Sequence, residues 1–508
     1  MGGINTGTLR GTASPARTDD HRRLARLRSR CRGTTALSTG MLFWGAPLLG
    51  AALLGATPAA GNPEGGSVVA GGATIVSAPG DVTVNQSTDR AILHWDSFGI
   101  DVGETTTFNQ PDSGSIALNR VTGTARSDLM GTLRANGNVW LVNPNGIVAG
   151  RGTIIDVNGF LASTADILDR DFMDGDGRFA FDLPSLVSGA TVVNQGEISI
   201  AQHGLAALVA PGVENAGVIT GALGHVVLAG TPTFTIDFAG DGLIHFALTG
   251  DVDDLPDGLA ALVSNSGEIV VPAGNVLIAA STADGVVDNV INMSGIIQAQ
   301  TVTTLGGRVL LDGGDTGIVR VSGTIDASGD ESGETGGQVQ VLGELIALDN
   351  GTVIDASGAA GGGEVLVGGD YRGGGGIDTA RRVVVTSGAS IDVSATEAGD
   401  GGRAVVWSDE YTYYAGTIGA RGGATTGDGG FVEVSGAQSL AFRGAVDTSA
   451  SAGAAGTLLL DPLNVIIAAG AGPAPNDDGE LTADNQILAG DSPTATFTIS
   501  ENAIEGLS

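Results

Sequence analysis

The chain has no lysine, so all 23 of its basic residues are arginine. Its one cysteine, Cys31, excludes an intramolecular disulfide and leaves stability to backbone pairing and packing. Aromatic residues make up 4% of the 508 residues, which excludes a core filled by large rings. Past residue 64 no apolar run reads as a transmembrane helix. Positive charge is scarce as well: eight arginines precede Gly33, and residues 61–508 carry 15 arginines against 54 acids, a net charge of −39. A surface of that sign argues against DNA or RNA as a partner. Sustained 3.6-residue apolar periodicity is also missing, which excludes leucine-rich and helical-repeat solenoids.

What is abundant is glycine, 85 residues, beside an apolar content of 42%. No Gly-X-Y period accompanies it, so the chain is not collagen-like, and it is too apolar for a charged disordered chain. Gly, Asn, Asp and Ser punctuate short runs such as Val276-Leu277-Ile278, Val309-Leu310-Leu311 and Val383-Val384-Val385, a pattern of short strands and tight turns. The turns recur. Ser266-Gly267-Glu268-Ile269, Ser294-Gly295-Ile296-Ile297, Ser322-Gly323-Thr324-Ile325 and Asn350-Gly351-Thr352-Val353 place their glycines 28 residues apart. The beat resumes at Gly388, Gly416 and Gly444, and Gly401-Gly402-Arg403 and Gly429-Gly430-Phe431 share its spacing.

A 28-residue repeat of strands without helices predicts an all-β fold: a right-handed parallel β-helix, a pectin-lyase-like solenoid. Each strand would pair with its equivalent one coil away, at about 4.8 Å. Roughly 445 residues after the leader, at about 22–28 per coil, predict roughly 16–20 coils. Stacked glycines would take unusual backbone angles, and stacked asparagines would bond along the ladder. A narrow interior takes Val, Ile, Leu and Ala, which accounts for the few aromatics, while the acids point outward. Before residue 190 the pattern is less regular: 81–86 and 91–95 read as strands, and three of the four tryptophans, Trp44, Trp95 and Trp140, lie there. A bulkier, irregular start suits an N-terminal cap over the first coil.

Residues 1–60 read as a secretory signal. A basic head, rich in arginine between Arg22 and Arg32, precedes the apolar Met41-Leu42-Phe43-Trp44 to Leu54, and Thr57-Pro58-Ala59-Ala60 supplies small residues for cleavage. Such a leader hands the chain to the general secretion machinery. At the other end, residues 468–508 hold acids and no arginine. They read as an acidic tail or the start of a further repeat region, with Phe497-Thr498-Ile499-Ser500 opening a strand.

The most distinctive text is Asn119-Arg120-Val121-Thr122-Gly123 followed by Gly131-Thr132-Leu133-Arg134-Ala135-Asn136-Gly137-Asn138-Val139-Trp140-Leu141-Val142-Asn143-Pro144-Asn145-Gly146-Ile147. Physically, Asn143-Pro144-Asn145-Gly146 is a turn in which Pro144 fixes one φ and Gly146 takes a positive one. With Phe108-Asn109-Gln110-Pro111 and Phe160-Leu161-Ala162-Ser163, the run resembles the N-terminal secretion domain of filamentous-haemagglutinin-type exoproteins, the exported partners of two-partner secretion systems. Gly363-Glu364-Val365-Leu366-Val367-Gly368 and Leu458-Leu459-Leu460-Asp461-Pro462 resemble the repeats of such proteins. The resemblance implies a secretion domain at 67–310 and Gly-rich β-helical repeats at 311–467. It also implies recognition by an Omp85-type (TpsB-like) outer-membrane transporter. Export would end outside the cell or on the outer-membrane surface, in an adhesin-like role toward a glycan or protein of a host or neighbouring cell. It makes Asn143, Pro144, Asn145, Gly146 and Ile147 the secretion motif and Asn109, Pro111, Asn119 and Arg120 accompanying turn residues. Many relatives are far longer, so the chain reads as a short member or a truncated frame.

Candidate chemistry is thin, and the reading is of no enzyme and no cofactor. His203, His225 and His245 are expected at separate surface or corner positions. Asp169, Asp171, Asp174 and Asp176 depart from the EF-hand spacing and read as a solvated loop, a candidate for weak Ca2+ binding at most; Asp312, Asp315 and Asp330 are lesser candidates of the same kind. A calcium-dependent polysaccharide-degrading enzyme would need an arginine base beside acids, for which Arg320 with Asp326, or Arg381 and Arg382 with Asp378, are the nearest sets. A purely structural extracellular rod is the other alternative.

Overall fold

The computed structural model describes residues 61–238, 245–282 and 290–461, with strand backbone also at Val465–Ala468, Ile487–Leu488 and Phe497–Ser500. The expected signal at 1–60 and most of the 468–508 tail lie outside the described residues. Runs of alternating or continuous Val, Ile and Leu form strands of three to six residues along the solenoid, gathered into three sheets. Sheet A has 14 strands, from Ser67–Ala70 and Arg90–Trp95 to Thr457–Asp461. Sheet B has 12, beginning at Ser127–Leu129, and sheet C has 14, from Ala73–Ala78 to Ala445–Asp447. The chain visits them in turn, as Ile154–Val157 in C, Gly159–Ser163 in A and Thr191–Asn194 in B. Away from the ends each strand lies parallel to its equivalent in the next coil. This is the right-handed β-helix that the repeats predict.

Because the register is in phase, like stacks on like inside. Ala117, Val139, Phe160, Ala206, Val226, Val276 and Val309 form one inward column of sheet A, all buried. Each fully buried Val or Ile contributes about 1.5–3 kcal/mol of transfer free energy. A column at the end of sheet B is polar at first. Asn194 Nδ2 donates to Asn215 Oδ1 at 2.8 Å, and Asn215 Nδ2 to Asn265 Oδ1 at 2.7 Å. The ladder ends at Met293, whose sulfur lies 3.3 Å from Asn265 Nδ2. The column then turns apolar through Val321, Leu348 and Val385 and closes with stacked Tyr414 and Phe442, ring centroids 5.1 Å apart.

Two glycine columns set the corners. Gly274, Gly307, Gly337, Gly363, Gly402 and Gly430 precede successive strands of sheet A, and each of their carbonyls accepts the amide that opens the strand one coil on. Gly217, Gly267, Gly295 and Gly323 do the same before sheet C. A Cβ on Gly402 would run into the Gly363 carbonyl, and one on Gly295 into that of Gly267, far inside contact distance. The 28-residue beat slips at Gly351 and Gly388. Val353 pairs with Thr324 and Ser390 with Val353, so Thr352 and Ala389 hold the column positions there. The turn at 349–352 carries four residues where Ser322-Gly323 carries two, and Gly351, at φ +94°, shapes that longer turn.

The count of coils is lower than the expected 16–20. The first strand of the 14 in sheet A is an antiparallel cap, which leaves 13 parallel levels among the described residues. Insertions account for much of the difference: Phe160 pairs with Ala206 and Val226 with Val276, so those coils take 46 and 50 residues. The inserted chain forms the short helix Asp169–Met173 and an antiparallel sheet of Arg178–Phe181, Phe234–Asp237 and His245–Leu248. Its Phe172, Phe179, Phe181 and Phe234 pack with Trp140 over the outward Ile92, Leu118 and Leu161 of sheet A. Trp140 meets Phe179 edge-on at 4.7 Å, and Phe181 stacks on Phe234 at 4.4 Å. The 169–176 stretch, expected as a plain solvated loop, therefore carries a buried anchor, Phe172.

At the N-terminal end Ser67–Ala70 lies antiparallel on Arg90–Trp95, and Ala73–Ala78 on Asp81–Gln86, which caps the first coil as expected. At the far end Ile487–Leu488 lies antiparallel on Ser439–Phe442. Replacing Gly402 by Val should destabilise the solenoid by about 1–3 kcal/mol, the usual cost of overpacking. Gly114→Ala, in a turn with no clash, should stay within about 0.5 kcal/mol. Thermal denaturation followed by circular dichroism checks both.

Candidate functional site: the 143–147 corner

Strand Asn138–Val142 of sheet A ends at Asn143, whose side chain is fully buried. Its amide donates to the Ala125 carbonyl at 3.0 Å and to Ser127 Oγ at 2.9 Å, both on the preceding coil. Its Oδ1 accepts from Asn145 N and Asn145 Nδ2, both at 2.9 Å. Asn145 Nδ2 also donates to the Gly123 carbonyl at 3.0 Å. Gly146, at φ +101°, closes the turn by donating its N–H to the Asn143 carbonyl at 3.0 Å. A Cβ there would sit 3.0 Å from the Thr191 carbonyl of the following coil. The Pro144 carbonyl accepts from Ser185 Oγ at 2.6 Å. Ile147 is buried and opens strand Ile147–Ala149, held between Ser127–Leu129 and Thr191–Asn194. The motif thus ties three successive coils together, and all its amide groups are engaged within the fold.

The accompanying residues fall in a second network. Trp95 Nε1 donates to the buried Asn119 Oδ1 at 3.0 Å, while Asn119 Nδ2 reaches the Ala117 carbonyl at 3.0 Å. On the opposite face of the strand Arg120 pairs with Asp166 at 2.7 Å and Asp169 at 2.8 Å, and donates to the Ile167 carbonyl at 2.8 Å. It also contacts His94 Nε2 at 2.8 Å. Burial, and then the Arg120 charge, hold the His94 pKa below its ordinary value, so the ring is neutral at neutral pH. Asn109 Nδ2 donates to Asn85 Oδ1 at 2.9 Å on an exposed corner, beside the exposed Pro111. The networks meet through sheet A, where Asn119 pairs with Leu141 and Arg120 with Val142.

The arginine and aspartate sets that a polysaccharide-degrading enzyme would need are not brought together. Arg320 pairs with Asp349 at 2.7 Å instead of Asp326. Arg381 and Arg382 pair with Glu344 and Glu410 instead of Asp378. Asp169 serves Arg120, and Asp174 and Asp176 accept backbone amides of their own turn. Of the histidines, His203 sits in a turn at φ 63°, but His225 and His245 line one cleft, which corrects their expected separation. Among the described residues no group of three or more His, Cys, Asp or Glu is arranged to hold a metal ion.

A right-handed β-helix, capped at its N-terminal end and braced there by asparagine corners, defines the class: a capped β-solenoid. The chain belongs to the TPS secretion domain family, whose model matches residues 59–341. Its fold is similar to the crystal structure of the HMW1 secretion domain from Haemophilus influenzae, with 32% identity and a TM-score of 0.65 over 79% of this chain and 100% of that one. Two heme/hemopexin-binding proteins of Haemophilus influenzae also match. One is 32% identical over 254 residues, 49% of this chain, and the other 41% identical over 100 residues, 20% of this chain. The chain spans 27% and 11% of the length of these relatives. As a secreted exoprotein of this family, it is exported across the inner membrane to an extracellular or outer-membrane-surface location.

Two half-buried carboxylates contribute to the pH response. Burial holds the Asp312 and Asp326 carboxyls above the usual range, and neighbouring carboxylates add to the shift. A raised carboxyl pKa means the folded chain binds more protons than the unfolded one, so stability falls as pH rises through the folded pKa. Asp326→Asn keeps an acceptor for Ser328 and removes the charge. It should raise the melting temperature at pH 7, with the gain shrinking toward pH 4; pH-resolved melts check this.

Proposed function

We propose that this chain is the exported partner of a two-partner secretion pair. Residues 67–310 act as the delivery portion, recognised by an Omp85-type (TpsB-like) outer-membrane transporter after the general secretion machinery has moved the chain across the inner membrane. The 311–467 repeats extend from it as a binding rod that acts by attachment, without catalysis, on a glycan or protein of a neighbouring or host cell. Strand Arg308–Asp312 crosses that division, so the two portions share one core and differ in role.

The observation that carries this reading is the polarity of the solenoid. Antiparallel strands close its N-terminal end, and each later coil adds parallel strands to the one before. A chain delivered across a membrane unfolded then has a template for each coil as it arrives, and folding outside opposes its return.

The 143–147 corner gives the test. Asn143→Ala leaves the Ser127 hydroxyl and Ala125 carbonyl without their donor, at about 1–3 kcal/mol for buried groups. With Asn145→Ala added, export into the medium should fall at least about tenfold while intracellular synthesis is unchanged, read by immunoblot of both fractions. Normal export of the double variant would contradict the role assigned to the corner.

A further inference from the structure

The outward face of sheet A carries a cleft that the export reading does not use. It has a volume of about 430 Å³ and lies beside the inserted strand His245–Leu248. Because Val226, Val276, Val309 and Val339 point inward, their neighbours point out in two columns. The floor column runs Val227, Leu277, Leu310 and Gln340, and the rim column His225, Asn275, Arg308 and Gln338. Phe246 forms the facing wall.

We infer that this cleft binds an extended oligosaccharide bearing a carboxylate, with the acid group at Arg308. Three features support it. The rim places one hydrogen-bonding head group per coil, a repeat of about 4.8 Å, close to one sugar unit of an extended glycan. Val227, Leu277 and Leu310 of the floor and the Phe246 ring suit the C–H faces of sugar rings, while amides on the rim suit hydroxyls, the division of labour usual in small-molecule sites. Arg308 is exposed, and among the described residues its guanidinium makes no ion pair or side-chain hydrogen bond, whereas Arg320, Arg381, Arg382 and Arg403 are each paired with acids. The nearest acid of the rim column, Glu364, lies two coils beyond Arg308 and is held by Arg403. A free guanidinium flanked by neutral amides, on a chain of net charge −33, is a local site for one carboxylate.

The cleft lies mostly within 67–310, so this inference goes beyond the attachment role proposed for the 311–467 repeats and rests on that role only for biological meaning. The experiment uses purified protein, so its failure leaves the export reading standing. The probe is a hexasaccharide of alternating glucuronate and N-acetylglucosamine, titrated calorimetrically into the full chain beside its carboxyl-reduced derivative. The acidic sugar should bind at least about tenfold more tightly than the reduced one, a difference of about 1.4 kcal/mol. Arg308→Gln should remove that preference and bind the reduced sugar as the parent chain does, while Arg320→Gln should change neither affinity. No binding of the acidic sugar, equal affinity for the two sugars, or a preference that survives Arg308→Gln would each overturn the proposal. A melting curve unchanged by Arg308→Gln verifies that the variant is folded.

Discussion

At the corners before sheets A and C, the carbonyl of one coil accepts the amide that opens the strand one coil on, mostly from a glycine. There is no room for a Cβ at Gly402 or Gly295, because the glycine carbonyl of the neighbouring coil occupies the place. That contact locks successive coils at one strand spacing and in one register. Once register is locked, each interior position stacks on its equivalent in the next coil, and the interior selects residues that stack well. Val, Ile, Leu and Ala do so by shape, and Asn194, Asn215 and Asn265 by passing a hydrogen bond from amide to amide. The same constraint explains the scarcity of aromatics inside the coils, apart from single levels such as Phe160 and the end pair Tyr414 and Phe442.

Where coils are free of that constraint, on their outer faces and in their loops, the chain diversifies. Over the early coils of sheet A the insert supplies an aromatic cover, and Arg120 clamps that cover to the strand beneath through Asp166 and Asp169. Further on, Arg381 joins Glu344 to Glu410 and Arg403 joins Glu364 to Asp370, while Arg382 pairs with Glu410. Exposed pairs of this kind add little stability singly, but in a chain with few cations they offset repulsion between stacked acids. The 143–147 corner stands between these regimes: its side chains are spent on holding coils together, and its conformation is fixed by Gly146 and Asn143.

Much of this architecture is legible in the residues. The glycine spacing, the short apolar runs and the absent helical beat lead to a solenoid, and Gly267, Gly295 and Gly323 do stack as their spacing implies. The slip at Gly351 was hidden because a turn two residues longer mimics the same spacing while shifting the register. The insert was harder to see. Its helix is five residues long, too short for periodicity, and only the gathering of Phe172, Phe179, Phe181, Phe234 and Phe246 in one region marks it. The partners of Arg320 and Arg381 were not legible either, since ion pairs between coils depend on register and loop length, which sequence spacing does not resolve.

The central claim is that the capped N-terminal coils template those that follow. Pulse-labelled hydrogen exchange with mass spectrometry, during refolding of the full chain, tests it most directly. The account predicts protection first in peptides from 81–163 and last in those from 431–461. Protection arising first in the 311–461 repeats, or at once along the whole solenoid, would contradict it.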